Sequence, residues 1–288
     1  MNPLPKIPSG AVRIAGDTYY MPEITNSGFV GGLVIDTGPE ESVYEGVQID
    51  RLAITHGHAD HFAAAWALRR DGATVVASRD DASLVENPDI NIRGMFSWAK
   101  PGDILVSKLF LGTPCKVDAI VEHWRDRRAA PIALPGHTLG HTGFLTPDKV
   151  LFTGDALYLK SLWARHPLPY SIAPDMVAAS LEVIRDLDFD WLVPGHGELV
   201  DRETAEGHID FHLAQIEELE GYLLEMLETP RTTEQVIALV SEERGLSDNP
   251  AQYWLAVTTV KGFLGDLLGR ELLEFSVVDH AGVWHTAE

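Results

Sequence analysis

The sequence is poor in cysteine, in basic residues and in long apolar runs. Of its 288 residues one is cysteine, Cys115. A single thiol cannot close an internal disulfide, which excludes a disulfide-stapled scaffold, and Cys115 reads as a small buried hydrophobe. Lys and Arg number 22 against 43 Asp and Glu, a formal net charge of −21. Proteins bind nucleic acid by displacing counterions from phosphate with Lys and Arg. A chain this acidic is not expected to bind it, nor to bind an anionic membrane surface. No apolar run approaches the ~18 residues needed to cross a bilayer. The opening MNPLPKIPSG has no basic stretch followed by an apolar one, so no export signal is expected and the expected setting is cytoplasmic. With 45% hydrophobic and 23% charged residues, the chain has the composition of a globular protein of one or two domains.

What is present begins with a βαβ rhythm. Gly28 to Asp36 (GFVGGLVID) reads as a strand ending in the turn Thr37-Gly38-Pro39. Arg51 to Thr55 and Thr74 to Ala77 read as short buried strands, with an Ala-rich helix from Phe62 to Arg70 between them. This alternation predicts an α/β domain with helices covering sheets. Residues 86–131 read as a loop-and-helix insertion, with a strand over Val117 to Trp124. Ala130 to Leu134, Val150 to Thr153 and Trp191 to Pro194 are further short strands. After about residue 203 the pattern turns helical. Ala205 to Glu228 carries Ile209, Leu213, Ile216, Leu219 and Leu223 along one side. Thr232 or Thr233, with Gln235 placed as in a capping box, opens a second helix to about Arg244. Ala251 to Leu268 is a third, and Leu272 to His285 reads as a hairpin around Ala281-Gly282. The expected division is an α/β domain over 1–203 and a small helical, winged-helix-like domain over 204–288.

Histidine is where the sequence speaks of chemistry. Six of its 12 histidines fall in short clusters at strand ends. The first cluster is Thr55-His56-Gly57-His58-Ala59-Asp60-His61. Residues i and i+2 of an extended chain point the same way, so His56 and His58 can face one ion. Asp60 and His61 then sit at the mouth of the next helix, where they can face a second. The other clusters are Pro135-Gly136-His137-Thr138-Leu139-Gly140-His141, Thr153-Gly154-Asp155 and Pro194-Gly195-His196-Gly197. Each is an apolar run that ends at a Gly beside a His or Asp. Imidazole and carboxylate suit zinc and similar metals.

The H-x-H-x-D-H, G-H-T-x-G-H, T-G-D and P-G-H-G strings, in this order over roughly residues 10–200, resemble the metallo-β-lactamase-fold hydrolases. The resemblance implies an αββα sandwich over that part of the chain, ahead of the helical, winged-helix-like domain read from the helix pattern. It implies that His56, His58 and His137 bind one metal, that Asp60, His61 and His196 bind a second, and that Asp155 bridges the two. His141 is implied to support the His137 loop. Two divalent ions, Zn2+ before Mn2+ or Fe2+, would share a water and lower its pKa so that hydroxide exists at neutral pH. Asp60 would steer or shuttle the proton. Tyr158, three residues after Asp155, is a candidate oxyanion donor because some lactone-cleaving members carry a Tyr at that spacing; packing under the loop is the competing reading. Lys160 is a weaker candidate for the same role.

Trp163, Arg165, His166, Pro167 and Tyr170, with Phe96 and Trp98 from the insertion, are the expected pocket wall for a small-molecule substrate. The resembled family spans thioesterases, lactonases, β-lactamases, nucleases and iron-dependent redox enzymes. The leading expectation is a dinuclear metal-dependent hydrolase of a thioester or a lactone or other ester. A phosphodiesterase or ribonuclease of the same fold, and a mononuclear iron sulfur-redox enzyme, are the alternatives. A non-catalytic regulatory module is disfavoured by the intact ligand set. The C-terminal domain is expected to cap the hydrolase domain or to pair two copies into a homodimer.

Overall fold

The computed structural model describes residues 7–103 and 110–287. Residues 104–109 of the expected insertion lie outside the described residues. The first sheet has seven strands in sequential order: β1 (Val12–Ala15), β2 (Thr18–Met21), β3 (Ser27–Val30), β4 (Leu33–Ile35), β5 (Arg51–Ala53), β6 (Thr74–Ala77) and β7 (Ala119–Ile120). β1 to β4 form an antiparallel meander, and β4 to β7 run parallel. The second sheet carries β8 (Ala130–Ala133), β9 (Thr142–Leu145), β10 (Val150–Gly154), β11 (Trp191–Pro194) and β12 (Val200–Asp201) in the order β12-β11-β10-β9-β8, with β10 and β11 parallel.

The period of two along each strand builds four layers. Leu33 and Ile35 face the space between the sheets, with Ala53, Val76, Val150, Phe152 and Val193. Their neighbours Val34, Leu52, Val75 and Ala77 face outward, where α1 (Ala65–Arg70) and α2 (Arg79–Glu86) cover them through Ala65, Leu68 and Val85. Leu151 and Leu192 face outward from the second sheet onto α5 (Pro174–Asp186) and α6 (Arg202–Met226). Two shorter helices, α3 (Asp89–Met95) and α4 (Lys160–Trp163), flank the open edge. The αββα sandwich is the architecture observed.

The sequence GFVGGLVID is not one strand. Gly31 and Gly32 both take left-handed φ, +52° and +89°, and fold the run into the β3–β4 hairpin with Val30 opposite Leu33. The strand expected over Val117 to Trp124 is only Ala119–Ile120, after which the chain tightens into a 3-10 turn over Val121–His123.

Beyond α6 come β13 (Arg231–Thr232), α7 (Thr233–Glu243), α8 (Pro250–Gly269), β14 (Leu273–Val278) and β15 (Ala281–Thr286). The capping box at α7 is present, Thr232 accepting from the Gln235 N–H and Gln235 from the Thr232 N–H. The hairpin turns at Asp279 and His280, both at positive φ, rather than at Ala281-Gly282. Ile209, Ile216, Leu219 and Leu223 are buried on the predicted side of α6, and they join one apolar cluster that runs from Leu151 and Leu192 of the second sheet to Phe263 and Leu267 of α8. Among the described residues no helix is long and apolar enough to cross a membrane.

Candidate metal centre

β5, β10 and β11 end at the same edge of the sandwich, and the loop after β8 arrives there too. Those four chain ends carry the histidines and aspartates singled out above. The turn after β10 needs Gly154. Its φ is +51°, and a Cβ there would lie 2.6 Å from Thr55 Oγ1. Gly136, at φ +131°, lets the His137 loop press against the Val177 amide, 2.4 Å from where a Cβ would stand.

His56, His58 and His137 converge on one point and Asp60, His61 and His196 on another. Asp155 lies between them. Its Oδ2 is 3.7 Å from His137 Nε2 and 3.5 Å from His196 Nε2, while Oδ1 is 3.5 Å from His61 Nε2. The outer ring nitrogens are held by protein acceptors. His56 Nδ1 donates to Thr55 Oγ1, His61 Nδ1 to Asp36 Oδ2, His137 Nδ1 to the Tyr170 carbonyl and His196 Nδ1 to the Ile24 carbonyl. These partners fix the ring orientations, leaving each Nε2 to point inward. His56 Nε2 and His137 Nε2 then both face His58 Nδ1, at 3.0 and 2.8 Å. One proton between three nitrogens cannot satisfy all of them. Asp155 Oδ1 is buried with no hydrogen-bond partner. Converging lone pairs and an orphaned carboxylate oxygen are what a cation would satisfy, so the donor set fits divalent metal ions.

The two clusters differ in charge. Burial and the neighbouring imidazoles hold His56 and His137 well below the usual histidine range, and burial takes His58 to about 4, so this trio is neutral at pH 7. Burial also opposes charge on His61 and His196, but the carboxylates win. Asp60, Asp155 and Asp36 raise His61 to about 10, and Asp155 and Asp60 raise His196 to about 11. Reciprocally, burial pushes Asp60 and Asp155 up, yet the same two imidazoles hold both carboxyls below the usual range.

Tyr158 stands behind this cluster with its ring buried. Its hydroxyl donates to Asp155 Oδ2 at 3.2 Å and lies 3.1 Å from His137 Nδ1. Burial and Asp155 raise its pKa, so it stays a donor. His141 accepts the Asp155 backbone N–H at Nε2, 3.0 Å, so it braces Asp155 directly, and its backbone carbonyl closes the 134–141 loop by accepting the Leu134 N–H.

A cleft of about 810 Å³ opens over the cluster. Pro22, Ile24, Met95, Phe110, Leu168 and Leu255 give it an apolar lining, with Glu23, Arg165, His166, Tyr170, Glu198 and Gln252 as its polar groups. Arg165, His166 and Tyr170 are therefore in the wall, as expected. Trp163 instead lines a small cavity behind Tyr158, beside His212. Pro167 is not among the lining residues. Phe96 packs against Trp254 with its ring tilted and Trp98 is 69% exposed, so neither joins the wall. Lys160 points its ammonium over the Phe211 ring, away from the cluster.

Three supporting residues carry no motif. Asp36 accepts from the Thr55 N–H and hydroxyl as well as from His61. Asp81, 1% exposed, accepts from the Gly57 N–H, the Gly140 N–H and the Thr138 hydroxyl, clipping the His56–His58 loop to the His137 loop. Asn26 donates to the Pro194 and Gly197 carbonyls on either side of His196. Asp36 alone had a signal, an apolar strand ending in Asp as in the ligand clusters.

Residues 20–196, well over half of the chain, match the Metallo-beta-lactamase superfamily. The chain belongs to this superfamily. Among relatives, a hydroxyacylglutathione hydrolase of Shewanella loihica is 29% identical over 173 residues, covering 58% of this chain and 56% of its own length. A hydroxyacylglutathione hydrolase of Rhodobacter capsulatus is 33% identical over 112 residues, 38% of this chain and 34% of its own. The chain thus spans little more than half the length of one of these curated relatives and about a third of the other. Among solved structures, a metallo-beta-lactamase family protein of Thermus thermophilus superposes with TM-score 0.66 at 17% identity, over 96% of this chain and 97% of its own. At that identity the likeness concerns the superfamily fold, and it extends through the C-terminal helical region.

Proposed function

We propose that this chain is a dinuclear metal-dependent hydrolase that cleaves a thioester or lactone carbonyl. The observation that carries the reading is the double convergence of His56, His58 and His137 and of Asp60, His61 and His196 about the shared Asp155, whose Oδ1 has no hydrogen-bond partner. In this reading each trio would hold one zinc ion, with Asp155 shared between the two sites. When bound, such ions supply Lewis acidity and make water acidic enough to attack a carbonyl at neutral pH. The chain's own residues do the rest. Asp60, at the cleft floor and steadied by the Thr25 hydroxyl, would steer or shuttle the proton that leaves the attacking water. Tyr158, whose hydroxyl donates to Asp155 Oδ2 in this structure, would redirect that donor to the developing oxyanion. The apolar cleft excludes water around the acyl group.

The hydrolase names of the two relatives favour the thioester branch. The phosphodiesterase reading finds no support in charge. In the C-terminal region, which we read as a winged-helix-like module, Arg244 pairs with Glu218 and Arg270 with Glu220 and Asp266. The module's contribution here is Gln252 and Leu255 in the cleft wall. A small-molecule substrate and a cytoplasmic setting complete the proposal.

The test is a hydrolysis panel with zinc-loaded protein: an S-acyl glutathione, an acyl-homoserine lactone, an aryl ester, a β-lactam and an aryl phosphodiester. Thioester or lactone cleavage that chelation abolishes is the expected result. Cleavage of the phosphodiester alone would overturn it.

Two further outcomes are expected. Tyr158→Phe should lower kcat by about 10- to 1000-fold with metal content unchanged. Steady-state kinetics beside elemental analysis checks this, and an unchanged kcat returns the residue to packing. The second outcome concerns pH. Below about 10 to 11 the folded, ion-free protein keeps protons on His61 and His196, and an incoming ion must displace them. The neutral trio has none to give up. Zinc affinity of the Asp60–His61–His196 site should therefore rise with pH from 6 to 9 more steeply than that of the other. Calorimetric titration in buffers of different ionisation enthalpy should find one binding event releasing more protons than its companion; equal release at both contradicts the charge assignment.

A further inference from the structure

The loop 169–173 lies between the C-terminal helix and the His137 cluster. On the inner side it holds the ligand loop at two levels. The Tyr170 carbonyl accepts from His137 Nδ1 at 3.0 Å. The Ile172 and Ala173 N–H groups both donate to the Gly136 carbonyl, at 3.0 and 3.2 Å, fixing the backbone just before His137. On the outer side the loop is held by α8. Thr259, 1% exposed, takes the Ser171 N–H on its hydroxyl oxygen at 3.2 Å and donates to the Pro169 carbonyl at 3.4 Å. One turn on, Gly262 lets the helix lie against the loop backbone. A Cβ there would stand 2.8 Å from the Ile172 carbonyl oxygen. Pro169 and Ser171 flank Tyr170, so the two hydrogen bonds of one hydroxyl bracket the residue whose carbonyl aims the imidazole.

We propose that Thr259 is a positioning residue for the His56–His58–His137 site, and that through it the C-terminal region governs how tightly that site holds its ion. The inference rests on the metal reading above. A ring whose outer nitrogen has a fixed acceptor presents its inner lone pair in one direction, and loosening the acceptor costs affinity. No comparable contact runs from Thr259 to the other cluster. His61 and His196 are aimed by Asp36 and by the Ile24 carbonyl, both in the N-terminal part of the chain. The clamp therefore acts on one ion and not the other, which a general loss of stability would not do.

The experiment is a Co2+ titration of metal-free full-length protein, followed by visible absorption and by competition with a chelator, for wild type, Thr259→Val and Thr259→Ser. Valine keeps the shape and removes both hydrogen bonds. One of the two binding events should weaken by about 10-fold or more while the other stays within about twofold, and serine should restore the weakened one. Thermal unfolding of each variant is recorded alongside. If Thr259→Val does not fold, Gly262→Ala supplies the same reading, since its methyl pushes the loop from the helix side, and the same one-site loss is expected. Two unchanged affinities, or two affinities weakened equally, overturn the clamp alone. A wild type that binds no ion overturns the metal reading and the clamp with it.

Discussion

Asp155→Ala is expected to bind fewer than two ions and to lose hydrolytic activity by at least about 1000-fold. Lewis-acid stabilisation by a bound metal contributes several kcal/mol to the transition state, and each ~1.4 kcal/mol is a factor of ten in rate. The geometry argues for so large an effect because Asp155 is placed against both clusters. One carboxylate oxygen reaches toward His61 and the other toward His137 and His196. Its removal also takes the hydrogen-bond acceptor from Tyr158 and an opposing charge from His61 and His196. Elemental analysis and steady-state rates on the purified variant check the expectation. A variant that keeps two ions and the full rate would remove Asp155 from the bridging position.

Gly195→Ala should be nearly as damaging, although it changes no functional group. A methyl at this position would lie 2.1 Å from Asp155 Oδ1, 2.8 Å from His61 Cε1 and 3.0 Å from the Gly154 backbone carbon. Asp155 and His61 are both buried, so neither can swing clear into solvent. The strain of such overpacking is about 1–3 kcal/mol, small enough for the variant to fold. The catalytic loss is larger, because a shift of about 1 Å in a reacting geometry can cost about 100-fold in rate. The expected variant is folded by circular dichroism, with kcat/KM at least about 100-fold down. A rate within a few-fold of wild type would show that the centre tolerates displacement of Asp155, and would contradict a bridging carboxylate held in one position.

Every residue that the structure brings to the two clusters was legible in the sequence, because each stands in a short string after an apolar strand. Strand ends and Gly turns are local events that a sequence records. The αββα layering was legible from the resemblance, and the α6 stripe from its period. The supports of the centre were not. Asp81 reads as an acidic residue in the first turn of α2, and only the folded chain brings it to Gly57 and Gly140. Ile24 contributes through its backbone carbonyl, which no side-chain pattern records. The hairpin inside GFVGGLVID was hidden because apolar residues continue on both sides of Gly31-Gly32. Trp163 and Phe96 were assigned to the cleft on residue type, and tertiary packing sent one behind Tyr158 and the other against Trp254.

Family membership leaves the chemistry to the site, since one fold serves many reactions. The most direct test is a zinc titration of metal-free protein, with hydrolysis of whichever panel substrate it cleaves fastest followed at each step. The expected result is negligible activity without zinc and a rate that levels off at two ions per chain. A rate that does not depend on added zinc, or full activity at one ion with no second binding event, would contradict it.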